Sequence, residues 1–87
     1  MDTRRQKLLA GIDLGSTSLK AVIYDLEGRP VSSGSRPTQR VHPHADHPDW
    51  TVWDPAQIWG GAAAAMKEAV AGIADARDIA AVAVTGM

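Results

Sequence analysis

The sequence predicts an α/β fold in which one helix crosses over a small mixed sheet. Three observations carry this prediction: short apolar runs bounded by turn residues, a stretch with helical periodicity in the second half of the chain, and one more apolar run after it. A helical crossover returns the chain parallel to an earlier strand, whereas short turns join antiparallel neighbours. The predicted order is therefore strand, strand, strand, helix, strand, with the first strand near the centre of the sheet.

The first three predicted strands follow one another through short turns. Residues 8–14 form an apolar run that is typical of a strand buried on both faces. Residues 19–26 alternate loosely between two faces and end at the turn sequence 27–30, where glycine and proline favour a reversal of the chain. A weaker strand over residues 31–35 then returns beside the second one, near the edge of the sheet.

A helix and a fourth strand complete the predicted order. Residues 36–53 show no hydrophobic period, so we expect a long irregular loop there. Asp54 and Pro55 are typical of a helix start, because aspartate accepts from the first free N–H groups and proline fits the first helical position. Apolar residues recur at helical spacing from residue 55 to about 74, and the run 79–84 reads as a strand.

Composition argues against several classes of function. The 87 residues include nine basic and ten acidic side chains, so no excess of charge favours nucleic acid or an anionic membrane as a partner. No segment approaches the roughly twenty apolar residues that a membrane helix needs. The absence of cysteine excludes disulfides and fits a reducing compartment, so we expect a cytoplasmic protein. Because the last apolar run leads into turn residues, we also expect a longer parent chain.

The segment from Gly11 to Lys20 is the most informative for function. It places Asp13 at the end of an apolar strand and follows it with Gly15-Ser16-Thr17-Ser18. Carboxylate oxygens are ligands that magnesium prefers, and a turn of small, hydroxyl-bearing residues can donate N–H and O–H groups to phosphate oxygens. The segment is neither a Walker motif nor a dinucleotide fingerprint. On spacing alone, a phosphate site and an ordinary hairpin turn with an Asx-type bond from Asp13 both remain open.

The same segment resembles the first phosphate motif of the superfamily that contains sugar kinases, actin and Hsp70. Residues 25–28, 50–59 and 79–86 narrow the resemblance to the N-terminal segment of the FGGY carbohydrate kinases. The resemblance implies a ribonuclease-H-like α/β fold, with a β-β-β-α-β mixed sheet that is the incomplete N-terminal part of an actin-like ATPase domain. Residues 1–87 would then be an N-terminal fragment of the first kinase domain, and the second domain would be absent.

The resemblance also implies an activity and a site. FGGY kinases use ATP and Mg²⁺ to phosphorylate sugars or polyols, so the expected partner is a small-molecule sugar or polyol, and a homo-oligomer of the full-length protein is compatible with the sequence. Asp13 would act near the magnesium ion and the transferred phosphoryl group. The catalytic base lies much later in the chain of such kinases, so we expect the fragment alone to be inactive. The residues implied to contact nucleotide phosphates are Gly15, Ser16, Thr17, Ser18 and Lys20, and those implied to line the sugar site are Thr85, Gly86 and Met87.

Two positions depart from the family pattern. The family usually has an acidic residue two positions after the loop tryptophan, where this chain has Val52, and many members have glutamine where this chain has Met87. The first departure concerns loop packing, and the second leaves the substrate unassigned. Two rival hypotheses stay open: another ATPase of the superfamily, and a standalone module that recruits a partner through an exposed sheet edge.

The region around the predicted helix start holds three histidines and three tryptophans. His42, His44 and His47 could supply zinc ligands, but ligand-rich loops are usually solvated, and we interpret this one as a polar loop without metal. Large aromatic rings with one polar group commonly anchor a loop against a core. We therefore expect Trp53 and Trp59 to pack onto the sheet and helix.

Overall fold

The computed structural model describes residues 7–38 and 54–86. Within these ranges the strands form one sheet in the order β3-β2-β1-β4. β1 pairs antiparallel with β2 and parallel with β4, and β2 pairs antiparallel with β3, so the predicted mixed sheet with the first strand in its interior is confirmed. The elements are β1 (Leu8–Leu14), β2 (Ser18–Asp25), β3 (Pro30–Pro37), α1 (Pro55–Ala71), a single 3-10 turn (Ala76–Asp78) and β4 (Ile79–Gly86).

The helix begins where the sequence predicts and ends earlier than predicted. Asp54 accepts a hydrogen bond from the N–H of Ala56 at 2.9 Å, and proline occupies the first helical turn. The prediction of an end near residue 74 is wrong, because α1 ends at Ala71 and Gly72 follows it. A Cβ on Gly72 would collide with the side chain of Ser32 on β3. The end of the helix is therefore coupled to a tertiary contact with the sheet.

The core lies between α1 and one face of the sheet. Small residues on both elements allow this close packing. Alanines of α1 are buried against the sheet, and a Cβ on Gly34 of β3 would collide with the carbonyl oxygen of Ala65. The Ser32 hydroxyl donates to the Ala69 carbonyl oxygen at 2.6 Å, which ties the helix to β3. The buried apolar residues are Leu8, Ala10, Leu19, Ala21, Ile23, Ala62, Ala65 and Ala69.

The turn between β2 and β3 is organised by a buried carboxylate. Asp25 is only 5% exposed, and one of its oxygens accepts from the N–H groups of Glu27 and Arg29, each at 2.9 Å. The hydrogen bond from the Arg29 backbone holds the pKa of Asp25 below its usual value, and the Arg29 side chain lowers it further. Gly28 adopts a φ of 85°, as expected for the glycine of this turn.

α1 covers β2 and β3 and leaves the β4 side of the same sheet face without cover from the described residues. Val82 and Val84 are 54% and 62% exposed, and Trp59 on α1 is 76% exposed. The prediction that Trp59 packs into the core is therefore wrong. No helix in the described ranges is long and apolar enough to cross a membrane.

Candidate phosphate-binding site

Three of the predicted site residues lie in one row across three strands. Asp13 on β1 is the register partner of Lys20 on β2 and of Thr85 on β4. Cross-strand partners project from the same face of a sheet. Since Ala10 and Ala21 alternate with this row and are buried under α1, the row stands on the opposite side, here called the open face. The carboxylate, the ammonium group and the hydroxyl are therefore neighbours.

A depression on the open face surrounds this row. Asp13, Lys20 and Thr85 all line it, together with Gly11 and Tyr24. The ring of Tyr24 lies 3.7 Å from the position that a Cβ on Gly11 would take, so the glycine leaves room beside the ring. Gly11 and Tyr24 were not predicted to line a site. The alternation of β1 and β2 is the signal that could have placed them on this face.

The turn after β1 depends on Gly15. Its N–H donates to the carbonyl oxygen of Ser18 at 3.0 Å, and a Cβ on Gly15 would lie 2.7 Å from that same oxygen. Any other residue would therefore have to shift the turn. Among the described residues, the N–H groups of Ser16 and Thr17 donate to no backbone acceptor. These donors remain available to an anion.

The structure forms only part of the ordinary hairpin turn that was the alternative to a phosphate site. The turn is a tight connection between two antiparallel strands, as that alternative expects. The Asx-type bond is not formed, because the Asp13 carboxylate accepts no hydrogen bond from residues 7–38 or 54–86. An exposed carboxylate without such a bond can ligate a metal ion directly or through water, so Asp13 fits the role of a magnesium ligand.

Thr38 contacts the turn and was not predicted to do so. Its N–H donates to the Thr17 carbonyl oxygen at 3.0 Å, and its Oγ1 donates to the Gly15 carbonyl oxygen at 2.7 Å. The prediction ended the third strand at residue 35, whereas β3 runs to Pro37. Because Pro37 is the register partner of Ser18, the next position along β3 meets Thr17. A longer predicted strand would have revealed this contact.

Arg36 does not contribute its charge to the open face. It lies on the face of β3 that packs against α1, and its Nη1 forms an ion pair of 2.5 Å with Glu68 on that helix. The hydrogen bond from the Arg36 side chain lowers the pKa of Glu68. Lys20 is thus the cation that the described part of the sheet presents beside Asp13.

The end of β4 lies beside the row, whereas several other predicted residues lie outside the described ranges. Gly86 is the register partner of Leu14, which brings the end of β4 beside the end of β1. Met87, Val52, the three histidines and Trp53 lie outside the described residues. Within the described ranges no group of three or more histidine, cysteine, aspartate or glutamate residues is placed to hold a metal ion. A metal bound at Asp13 would therefore need further ligands from phosphate, water or other residues.

Comparison with known sequences identifies related proteins. The profile of the FGGY family of carbohydrate kinases, N-terminal domain, matches residues 8–87. A glycerol kinase from Leptothrix cholodnii is 37% identical over 79 residues, which cover 88% of this chain and 15% of that protein. A glycerol kinase from Citrifermentans bemidjiense is 40% identical over 63 residues, covering 72% of this chain and 12% of that protein.

Solved structures agree with this comparison. The xylulose kinase from Rhodospirillum rubrum superposes with a TM-score of 0.77 and 36% identity, covering 93% of this chain and 16% of that chain. A gluconate kinase from Lactobacillus acidophilus superposes with a TM-score of 0.79 at 24% identity over 95% of this chain and 16% of that chain, a likeness that concerns the fold alone. The superpositions confirm the predicted ribonuclease-H-like arrangement as part of an actin-like ATPase fold.

Proposed function

This chain belongs to the FGGY family of carbohydrate kinases, and we propose that it is the N-terminal part of an enzyme that transfers the γ-phosphoryl group of ATP to a hydroxyl of a sugar or polyol. The chain spans between 12% and 16% of the length of the relatives named above. The activity is therefore proposed for a longer protein that contains these residues. The 87 residues would form the first part of its first domain.

One observation supports this proposal more than any other: the register that places Asp13 between Lys20 and Thr85 on the open face. Phosphoryl transfer depends on positioning and on stabilising negative charge, with little covalent chemistry for the protein to perform. Lys20 would offset charge on the phosphates, and the N–H groups of Ser16 and Thr17 would donate to their oxygens. The hydroxyl of Ser18 would add a further donor at the same turn.

Asp13 would hold the metal ion that accompanies the nucleotide. We propose Mg²⁺ as this ion, which when bound neutralises charge on the phosphates. The carboxylate is exposed and accepts no hydrogen bond from the described residues, which leaves its oxygens open to a metal ion. Thr85 in the row and Gly86 after it end β4, where we propose part of the sugar site, and we propose Met87 as a further residue of that site.

The proposed reaction also needs a base to remove a proton from the acceptor hydroxyl. Among the described residues, the depression on the open face is lined by one acidic residue, Asp13, and by no histidine. We propose that Asp13 holds the metal ion and that another group acts as the base. By resemblance to the family, the base would come from a later part of the full-length enzyme, and the fragment alone would not turn over substrate.

The proposal extends to partners and location. Sugars or polyols are the expected small-molecule partners, and the formal net charge of −1 supports neither nucleic acid nor an anionic membrane as a binding partner. A cytoplasmic location agrees with the absence of cysteine. The proposal includes a homo-oligomer of the full-length enzyme, which a measurement of its mass in solution tests.

A panel of sugars and polyols, including glycerol, xylulose and gluconate, tests the function. The full-length protein is assayed for ADP release with ATP and Mg²⁺, with and without each candidate acceptor. We expect at least one acceptor to stimulate ADP release and to become phosphorylated. ADP release that no acceptor stimulates would instead favour another ATPase of the superfamily.

Asp13→Asn is the variant matched to this test. Loss of the carboxylate charge should lower kcat by roughly 100-fold or more, with little change in the thermal unfolding midpoint because Asp13 is exposed. Glu27→Gln removes an exposed carboxylate that pairs with Arg29 in the turn after β2, and it should leave kcat unchanged. Equal activity of Asp13→Asn and the wild type would remove Asp13 from the proposed mechanism.

A further inference from the structure

Both hydrogen bonds that reach the turn after β1 from the β3 end come from Thr38. They join residues as far as 23 positions apart in the chain, so the contact is tertiary. Among the described residues, no other side chain donates to a carbonyl oxygen of the turn. The Gly15 carbonyl accepts from the Thr38 hydroxyl, while the Thr17 carbonyl accepts from the Thr38 N–H.

These two bonds determine where the neighbouring N–H groups point. In a planar trans peptide, the C=O of one residue and the N–H of the next point in opposite directions. With the Gly15 carbonyl directed at Thr38, the N–H of Ser16 is directed away from Thr38. The same relation links the Thr17 carbonyl to the N–H of Ser18. The carbonyl oxygens of Gly15 and Thr17, which would repel a phosphate, are thus held on the side of the turn that faces Thr38.

The Gly15–Ser16 peptide is the one that most needs such a restraint. Gly15 has no side chain to limit its backbone angles, and a rotation of this peptide would exchange the Ser16 N–H for the Gly15 carbonyl. The Ser16 N–H donates to no backbone acceptor in the described ranges, so nothing on that side opposes the rotation. The Thr38 hydroxyl, at 2.7 Å from the Gly15 carbonyl oxygen, is the group that does.

We propose that Thr38 is a positioning residue for nucleotide phosphates: its hydroxyl holds the Gly15–Ser16 peptide in the orientation that presents the Ser16 N–H to a phosphate oxygen. This inference rests on the proposed function for the identity of the anion. It assigns a role in ATP binding to a residue outside the glycine and serine turn itself. Thr38 would act through this peptide, without contact to the sugar or to the reacting atoms.

Thr38→Val in the full-length protein is the direct test. Valine keeps the shape and the backbone N–H that bonds Thr17, and it removes only the hydroxyl. Loss of one hydrogen bond that positions a donor should raise the KM for ATP by roughly 3- to 10-fold, with the KM for the acceptor unchanged. Thr38→Ser restores a hydroxyl and should recover the wild-type KM. Ser33→Ala, an exposed hydroxyl on β3 that makes no hydrogen bond to the described residues, is the matched control.

Hydrogen–deuterium exchange separates this proposal from the proposed function. In Thr38→Val, the peptide that covers residues 13–20 should exchange faster than in the wild type, and ATP with Mg²⁺ should protect it less. This readout needs no sugar, so it tests Thr38 even where no acceptor is phosphorylated. Unchanged exchange and an unchanged KM for ATP would overturn the proposal. An equal rise in both KM values with a lower unfolding temperature, not recovered by Thr38→Ser, would also overturn it.

Discussion

Asp13 and Lys20 are direct register partners across the β1–β2 hairpin, on the open face of the sheet. A residue with a carboxylate and a residue with an ammonium group thus flank the turn after β1. Between the apolar residues Leu14 and Leu19, this turn contains only glycine, serine and threonine. Such a pair can bind a cation at Asp13 and an anion at Lys20 at the same time. A nucleotide with its metal ion supplies both, because the metal ion is positive and the phosphates are negative.

Replacing Lys20 should weaken nucleotide binding. Lys20→Met keeps the length of the side chain and removes its charge, so the KM for ATP should rise by roughly 10- to 100-fold, the range expected for a lost hydrogen bond to a charged group. Lys67→Met removes an exposed lysine on α1 and is the control, with an unchanged KM. Initial rates of ADP release at varied ATP concentrations measure both. Equal effects of the two variants would argue against a phosphate contact at Lys20.

Gly15→Ala should impair ATP binding through the shape of the turn. The added Cβ would lie 2.7 Å from the Ser18 carbonyl oxygen, a distance that the backbone must relieve by moving. We expect a higher KM for ATP and faster hydrogen exchange over residues 13–20. Gly60→Ala places a Cβ on α1 in open space and should raise stability by about 0.5–1 kcal/mol, because alanine favours helix. An active, tightly binding Gly15→Ala variant would contradict the turn geometry.

Asp25 should make stability dependent on acid pH. The pKa of Asp25 is lowered in the folded protein, chiefly by the hydrogen bond from the Arg29 backbone, from a reference of 3.8. Its contribution is therefore complete above pH 3.8 and is lost as pH falls through the folded pKa. Asp25→Asn should be less stable than wild type at pH 6, and the difference should shrink toward pH 3. Thermal unfolding between these pH values measures it, with Glu27→Gln as the exposed control.

Gly34→Ala should separate the helix from the sheet. A Cβ on Gly34 would collide with the Ala65 carbonyl and would lie 2.8 Å from the Glu68 Cβ, both on α1. Overpacking of this kind costs about 1–3 kcal/mol. Chemical denaturation of the full-length protein measures the loss, and Ser33→Ala at the next, exposed position should leave the free energy of unfolding nearly unchanged. A neutral Gly34→Ala would mean that the helix can move away without cost.

Local signals predicted most of the elements. The start of α1 was predictable because Asp54 and Pro55 act within one turn of the helix. Its end carried a local signal too, since Gly72 caps the helix, and the predicted helix ran past that glycine. The exposure of Trp59 depends on which strands α1 covers, and no periodicity within the helix reports that.

Part of the candidate site could be predicted from the sequence and part could not. The turn after β1 was recognised from a contiguous segment, whose residue types suit phosphate oxygens. The row that joins Asp13 to Thr85 depends on the register between β1 and β4, which contains a shift between Leu8 and Leu9. Alternation alone cannot give that register, because a slip of one residue exchanges the two faces. The phosphate and sugar contacts of the individual residues remain predictions.

The position of β4 has a consequence for synthesis on the ribosome. β1, β2 and β3 can pair as soon as they emerge, because short turns join them, whereas β4 is separated from β1 by β2, β3 and α1 along the chain. Once paired, β4 is an edge strand among the described residues, with exposed valines on one face, and such edges accept strands from other molecules. A nascent chain in which β4 has just paired should therefore be prone to aggregation and a good substrate for chaperones.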